Sequence, residues 1–227
     1  MVSIDTVYQK VLMFANKEQR GYITPQEFNM FADQAQKEIF EQYFYDLNQF
    51  SRVPGNSGEY SDIIHNINEK IAIFERANGT IASGNIIATD LYRLGTVMHD
   101  SSEIEVEEVQ QNEILYINKS PLTKPSVDRP VYVRTGELTV SIYPTSVNYD
   151  ITCTYIAQPI KPSWGYVVVL GKAMWDPSNT TNFELHAAEE SELVYKILKF
   201  AGLAMKRDDI AKGGQGLEQL QTQQEKQ

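Results

Sequence analysis

The chain has 227 residues, 42% of them hydrophobic, enough for one sizeable core or two small ones. Its formal net charge is −10 and its pI about 4.8, which exclude a protein that wraps nucleic acid or holds an acidic membrane by charge. An acidic wall still suits a protein that surrounds a duplex without gripping it. The single cysteine, Cys153, excludes an intramolecular disulfide, and its Thr-Cys-Thr setting suits a small buried residue.

Ser3 caps a first helix, with Ile4, Val7, Tyr8, Val11 and Ala15 on one face and an end near Glu18 to Arg20. Asn16 to Phe28 (NKEQRGYITPQEF) has the look of half a calcium loop, with Gly21 sixth and Glu27 twelfth. Its first half offers Asn16, Glu18 and Arg20, and Arg20 would set a guanidinium on the cation. The same letters read better as a helix start: Thr24 as N-cap, Pro25 at the first position and Glu27 closing a capping box. That second helix is expected from Pro25 to about Gln49, forming an antiparallel hairpin with the first.

Ser51 to Gly58 reads as a loop, and Glu59 to Asn68 as ambiguous or a short helical turn. Strands are expected at Lys70–Glu75, Leu91–His99, Pro130–Arg134, Leu138–Tyr143, Asp150–Ala157 and Gly165–Leu170. Thr135-Gly136-Glu137 marks a β-hairpin turn, and Val106 to Asn118 reads as a short helix. Ala187 to about Lys206 carries a helical stripe of Val194, Ile197, Leu198, Ala201 and Met205, with acids at its start and bases at its end. The last stretch is glutamine-rich and broken by Gly213, Gly214 and Gly216. It is expected to be disordered or ordered only by a partner.

These readings add up to an α+β fold: a helical bundle formed by the N- and C-terminal segments, an inserted antiparallel β region and a C-terminal docking tail. The expected division is a helical hairpin at 1–50, a mostly antiparallel β region at 59–177, a helix at 183–206 packing on the hairpin, and a polar docking tail at 207–227. The opening residues lack an apolar signal core. The longest apolar run, Tyr166 to Leu170, is too short to span a membrane.

The residues show no enzyme chemistry. His65, His99 and His186 stand far apart in the sequence, outside any zinc-ligand spacing. Gly213-Gly214-Gln215-Gly216 lacks the strand and the Lys-Ser or Lys-Thr of a phosphate loop. Glu103, Glu105, Glu107 and Glu108 read as a solvated acidic face. The expectation is a chain with no catalytic residue, cofactor or metal.

Four stretches in this order carry a resemblance: GYITPQEFNMFADQAQKEIF, SPLTKPSVDRPVYVR, YIAQPIKPSWGYVVV and ELHAAEESELVYKILKFAGLAMKRDDIA. Together, over roughly 21–210, they resemble the ring or adaptor proteins at the head-to-tail connector of short-tailed bacteriophages, of the crAss-like type. The resemblance implies a virion structural protein, assembled in the host cytoplasm, that forms a twelve-fold ring between capsid portal and tail. Its partners would be the portal protein, other ring or tail proteins and further copies of itself. Genomic DNA would pass without sequence-specific binding, and no membrane would be involved. The interface residues expected are the aromatic run Tyr43, Phe44 and Tyr45 and, in the tail, Lys206, Arg207, Ile210, Leu217 and Leu220. Two other readings stand beside it: a tail-associated glycan-binding or glycan-cleaving component, suggested by the aromatic and acidic content, and a calcium-responsive protein.

Overall fold

Thr24 opens the longest helix. In the computed structural model, which describes residues 1–15, 23–51, 58–147, 149–204 and 208–225, the Thr24 N–H donates to Glu27 Oε2 at 2.9 Å. The Glu27 N–H donates back to Thr24 Oγ1 at 3.2 Å. This capping box satisfies early amides of α2, Pro25–Ser51. The backbone and hydroxyl donors of Thr24 hold the Glu27 carboxyl below its ordinary value. Glu27 therefore serves as a helix cap. Residues 16–22 of the calcium-like stretch lie outside the described residues.

The fold is α+β, in two units. The helical unit joins Met1–Ile73 to Pro159–Gln227, and the β unit is Phe74–Gln158. The insertion is thus shorter than the 59–177 expected. In the helical unit, α1 (Ile4–Ala15) buries the stripe read from sequence. Helix α5 (Glu190–Ala204) buries Leu193, Val194, Ile197, Leu198 and Ala201 and packs on both α1 and α2. Helices from the two chain ends therefore share one core. Gln36 lies fully buried in it. Its amide donates to the Ile160 carbonyl at 2.8 Å and accepts from the Glu184 N–H at 3.0 Å, so the burial costs no unpaired amide.

The β unit has seven strands: β1 Glu75–Ala82, β2 Asn85–Ile86, β3 Leu91–His99, β4 Ile104–Glu108, β5 Val131–Arg134, β6 Val140–Tyr143 and β7 Ile151–Ala157. Their order is β2-β1-β7-β3-β4-β5-β6. The two ends of that order meet. The Ile86 N–H donates to the Leu138 carbonyl and the Val140 N–H to the Gly84 carbonyl, both at 2.8 Å. The sheet thus closes into a small barrel, which removes its edges. Gly84 is required at the seam, because its φ is +78° and a Cβ there would lie 2.6 Å from the Val140 carbonyl oxygen. Every strand contributes to the interior: Ile81, Ile86, Val97, Val106, Tyr132, Ile142 and Cys153 are among the side chains that fill it.

The region is mostly antiparallel, as expected, with β4 and β5 the exception: they run parallel, joined by a crossover that carries α4 (Ile114–Lys119). Other expectations are corrected. Residues 106–118 are not one helix. Ile104–Glu108 alternates, with Val106 buried and its acidic neighbours exposed, which is the period of a strand. The strand expected at Lys70–Glu75 is instead the end of a full helix, α3 (Gly58–Ile71), followed by a helical turn.

The tail is neither extended nor separate. It forms α6, Asp208–Glu225, folded back against α5. Gly214 is buried there, where a Cβ would lie 2.9 Å from the Lys199 backbone nitrogen, so the glycine that weakens helix propensity is what lets the two helices approach.

Candidate assembly surface

Trp164 roots the feature of the helical unit that its own core leaves uncovered. It is buried, and its indole N–H donates to Asp5 Oδ1 at 2.9 Å. Asn29 clamps its backbone from both sides, accepting from the Trp164 N–H at 2.8 Å and donating to its carbonyl at 3.3 Å. Its ring packs on Tyr8, with centroids 4.2 Å apart. Gly165 follows with no room for a side chain, since a Cβ would meet the Asn179 backbone at 2.6 Å.

From that root leaves a two-stranded hairpin, β8 (Tyr166–Val169) and β9 (Lys172–Trp175). The pairs Val167–Met174 and Val169–Lys172 share one face, Tyr166–Trp175 and Val168–Ala173 the other. Trp175 donates its indole N–H to Thr180 Oγ1 at 3.0 Å, which closes the base. Beyond the base both faces are open: Val167, Val168, Val169, Met174 and Trp175 are between 46% and 62% exposed. The turn residues Leu170 and Gly171 have φ of +51° and +78°, the pattern of a type I′ turn. Gly171 adopts this freely, whereas Leu170 holds a conformation that branched apolar residues avoid, with its side chain 99% exposed. Neither turn geometry nor packing within the chain calls for a leucine there.

The expected interface residues fall into different places. Tyr43 and Phe44 are buried in α2's own packing, Phe44 edge-on to Phe40 at 5.1 Å and Tyr43 under the Lys70 ammonium at 5.7 Å. Positions 40, 43 and 44 share the inward face set by the helical period, where Tyr43 also lines a cavity against α3. Tyr45 points out and is exposed. Leu217 and Leu220 are exposed on α6. Lys206 and Arg207 lie outside the described residues, as does the side chain of Ile210 in the first turn of α6. The hairpin was missed as an interface. Its signal was the unbroken run YVVVL, which reads equally as a strand buried on both faces.

The same unit holds an open cavity of about 320 Å³ between α2, α3, the start of α5 and, through Thr222, α6. Ile39, Tyr43 and Ile67 form its floor, and the exposed Asn66, Glu69 and His186 its mouth. Behind it the fully buried Glu189 is held by Lys70, whose ammonium lies 2.6 Å from Oε1 in an ion pair rather than a directed hydrogen bond.

Among the described residues, no group of three or more His, Cys, Asp or Glu side chains is gathered to hold a metal. No helix there is long and apolar enough to cross a membrane. Comparison with family models and with curated proteins found no match.

Proposed function

We propose that this chain is a virion structural protein, a subunit of the dodecameric connector ring that joins a phage's capsid portal to its tail and lines the DNA passage. The observation that carries the reading is the β8–β9 hairpin: locked at its root, apolar on both faces and uncovered beyond it. An isolated two-stranded hairpin is marginal in water, so this one is built to be covered. Burying the half-exposed Val167, Val168, Val169 and Met174 in an assembly would yield on the order of 1 kcal/mol each, and the fully exposed Leu170 about twice that, before the cost of association.

The sequence resemblance supplies the kind of assembly. The exposed Leu217 and Leu220 on α6 give a second outward surface, suited to the portal. The net charge of −10 suits a channel wall, because each Lys or Arg contact to phosphate would add salt-sensitive grip.

The test is native mass spectrometry of the chain mixed with its phage's portal. A complex with twelve copies of this chain supports the reading. A chain that stays monomeric beside portal rejects it. Depolymerisation of host capsular polysaccharide by the purified chain would favour the glycan reading instead.

A further inference from the structure

The hairpin tip and the α2–α3 cavity are complementary in shape class and in charge. The tip presents Leu170 beside Lys172, the hairpin's one charged side chain. The cavity offers an apolar floor of Ile39, Tyr43 and Ile67. Its lining carries three carboxylates, Asp46, Glu69 and Glu192, against one ammonium, Lys70. The cations nearby do not reverse that sign: Lys196 and Lys199 are matched by Glu38 and Glu218, outside the lining.

The two patches also use different parts of α2. The hairpin root is clamped by Asn29 and the cavity floor includes Tyr43, about 21 Å further along the helix axis. Among the described residues the tip is solvated and the cavity open.

We infer that the β8–β9 hairpin of one copy docks into the α2–α3 cavity of the next, Leu170 on the floor and Lys172 toward Glu69 and Asp46. The inference rests on the reading of the chain as a repeated subunit, and it names the contact between neighbours. Two different patches meeting head to tail make a heterologous interface, the kind that closes into a ring when the rotation per copy allows. Seating a leucine at a positive φ would also give a purpose to the backbone conformation at Leu170.

The experiment mixes two full-length variants under mild oxidation, Leu170→Cys in one copy and Asn66→Cys in the other. Both positions are exposed, so folding is spared, and the native Cys153 is buried away from exchange. The expected product is a disulfide-linked pair of unlike copies. Adding Lys172→Glu to the tip copy lowers its yield about tenfold, and Glu69→Lys in the cavity copy restores it.

A link only between two Leu170→Cys copies, no link at all, or a yield indifferent to Lys172→Glu overturns the proposal. So does flotation with phosphatidylcholine vesicles that Leu170→Asp abolishes, which would assign the tip to lipid. Portal capture is scored separately. A chain that forms the unlike link but ignores portal keeps this contact and loses the connector reading; one that binds portal without the link does the reverse.

Discussion

The Lys196 ammonium lies 2.6 Å from Glu218 Oε1, and that contact ties α6 to α5. The other Glu218 oxygen accepts from Lys199 at 3.0 Å. Burial works against both charges. For Lys196 the Glu218 hydrogen bond and the carboxylates of Glu192, Glu218 and Glu38 outweigh it and hold the pKa above the ordinary 10.5. For Glu218 the bonds from Lys196 and Lys199 outweigh it and hold the pKa below the ordinary 4.5.

A depressed carboxyl stabilises fully above its unfolded pKa and loses that contribution as pH falls through the folded value. A raised lysine stabilises fully below its unfolded pKa and loses that contribution as pH rises through the folded value. Protection of α6 amides from hydrogen exchange should therefore be flat between about pH 5 and 10 and decline outside that window. Glu218→Gln should lower α6 protection by about 1–3 kcal/mol at neutral pH, leaving the barrel amides unchanged. Equal protection in the variant would detach the clasp from α6.

The three glycines of α6 should respond in opposite directions. Gly213 and Gly216 face open space, so alanine at either should stabilise the helix by about 0.5–1 kcal/mol. At Gly214 a methyl would lie 2.9 Å from the Lys199 nitrogen and 3.0 Å from the Tyr195 carbonyl oxygen, both backbone atoms that cannot swing aside. Gly214→Ala should cost about 1–3 kcal/mol. Helix content by circular dichroism and melting temperature separate the two cases; a uniform gain at all three would mean that α6 does not rest on α5.

Lys70→Met removes the cation that holds the fully buried Glu189. A buried charge left without its partner should lower unfolding stability by about 3 kcal/mol in urea titration. A loss under about 0.5 kcal/mol, the size of a surface effect, would show that Glu189 finds another partner.

Cys153 reports on the barrel. Burial raises the pKa of its thiol, and its Sγ would sit 2.7 Å from a Cβ added at Gly79. The folded chain should resist thiol-specific alkylation at neutral pH and react at the rate the barrel opens. Fast labelling of the native protein would contradict a closed, filled interior.

Where one chemical periodicity dominated, the sequence was legible. The stripes of α1 and α2, that of α5 as far as Ala201 (Met205 lies outside the described residues), the alternation in β6 and the Thr24–Glu27 cap all read locally and appear. Strand β1, with Glu75, Arg76, Asn78 and Gly79, carries too little apolar signal to read, and it exists because β7 pairs along it. Barrel closure rests on Gly84 meeting Val140, 56 positions further along the chain, which no local window contains.

Helix α6 was obscured by its glycines, whose low propensity is offset at Gly214 by a contact with α5. For the candidate surface, Tyr45, Leu217 and Leu220 were legible as outward residues, while Tyr43 and Phe44 turned inward. The hairpin was hidden because YVVVL has the same letters whether a strand's two faces meet a core or meet solvent.

The decisive measurement is native mass spectrometry of the chain with portal, comparing the wild type with Leu170→Asp. The connector account predicts a twelve-copy complex for the wild type and smaller, incomplete species for the variant. A wild-type chain that remains monomeric beside portal, or a variant that assembles as fully as the wild type, would contradict it.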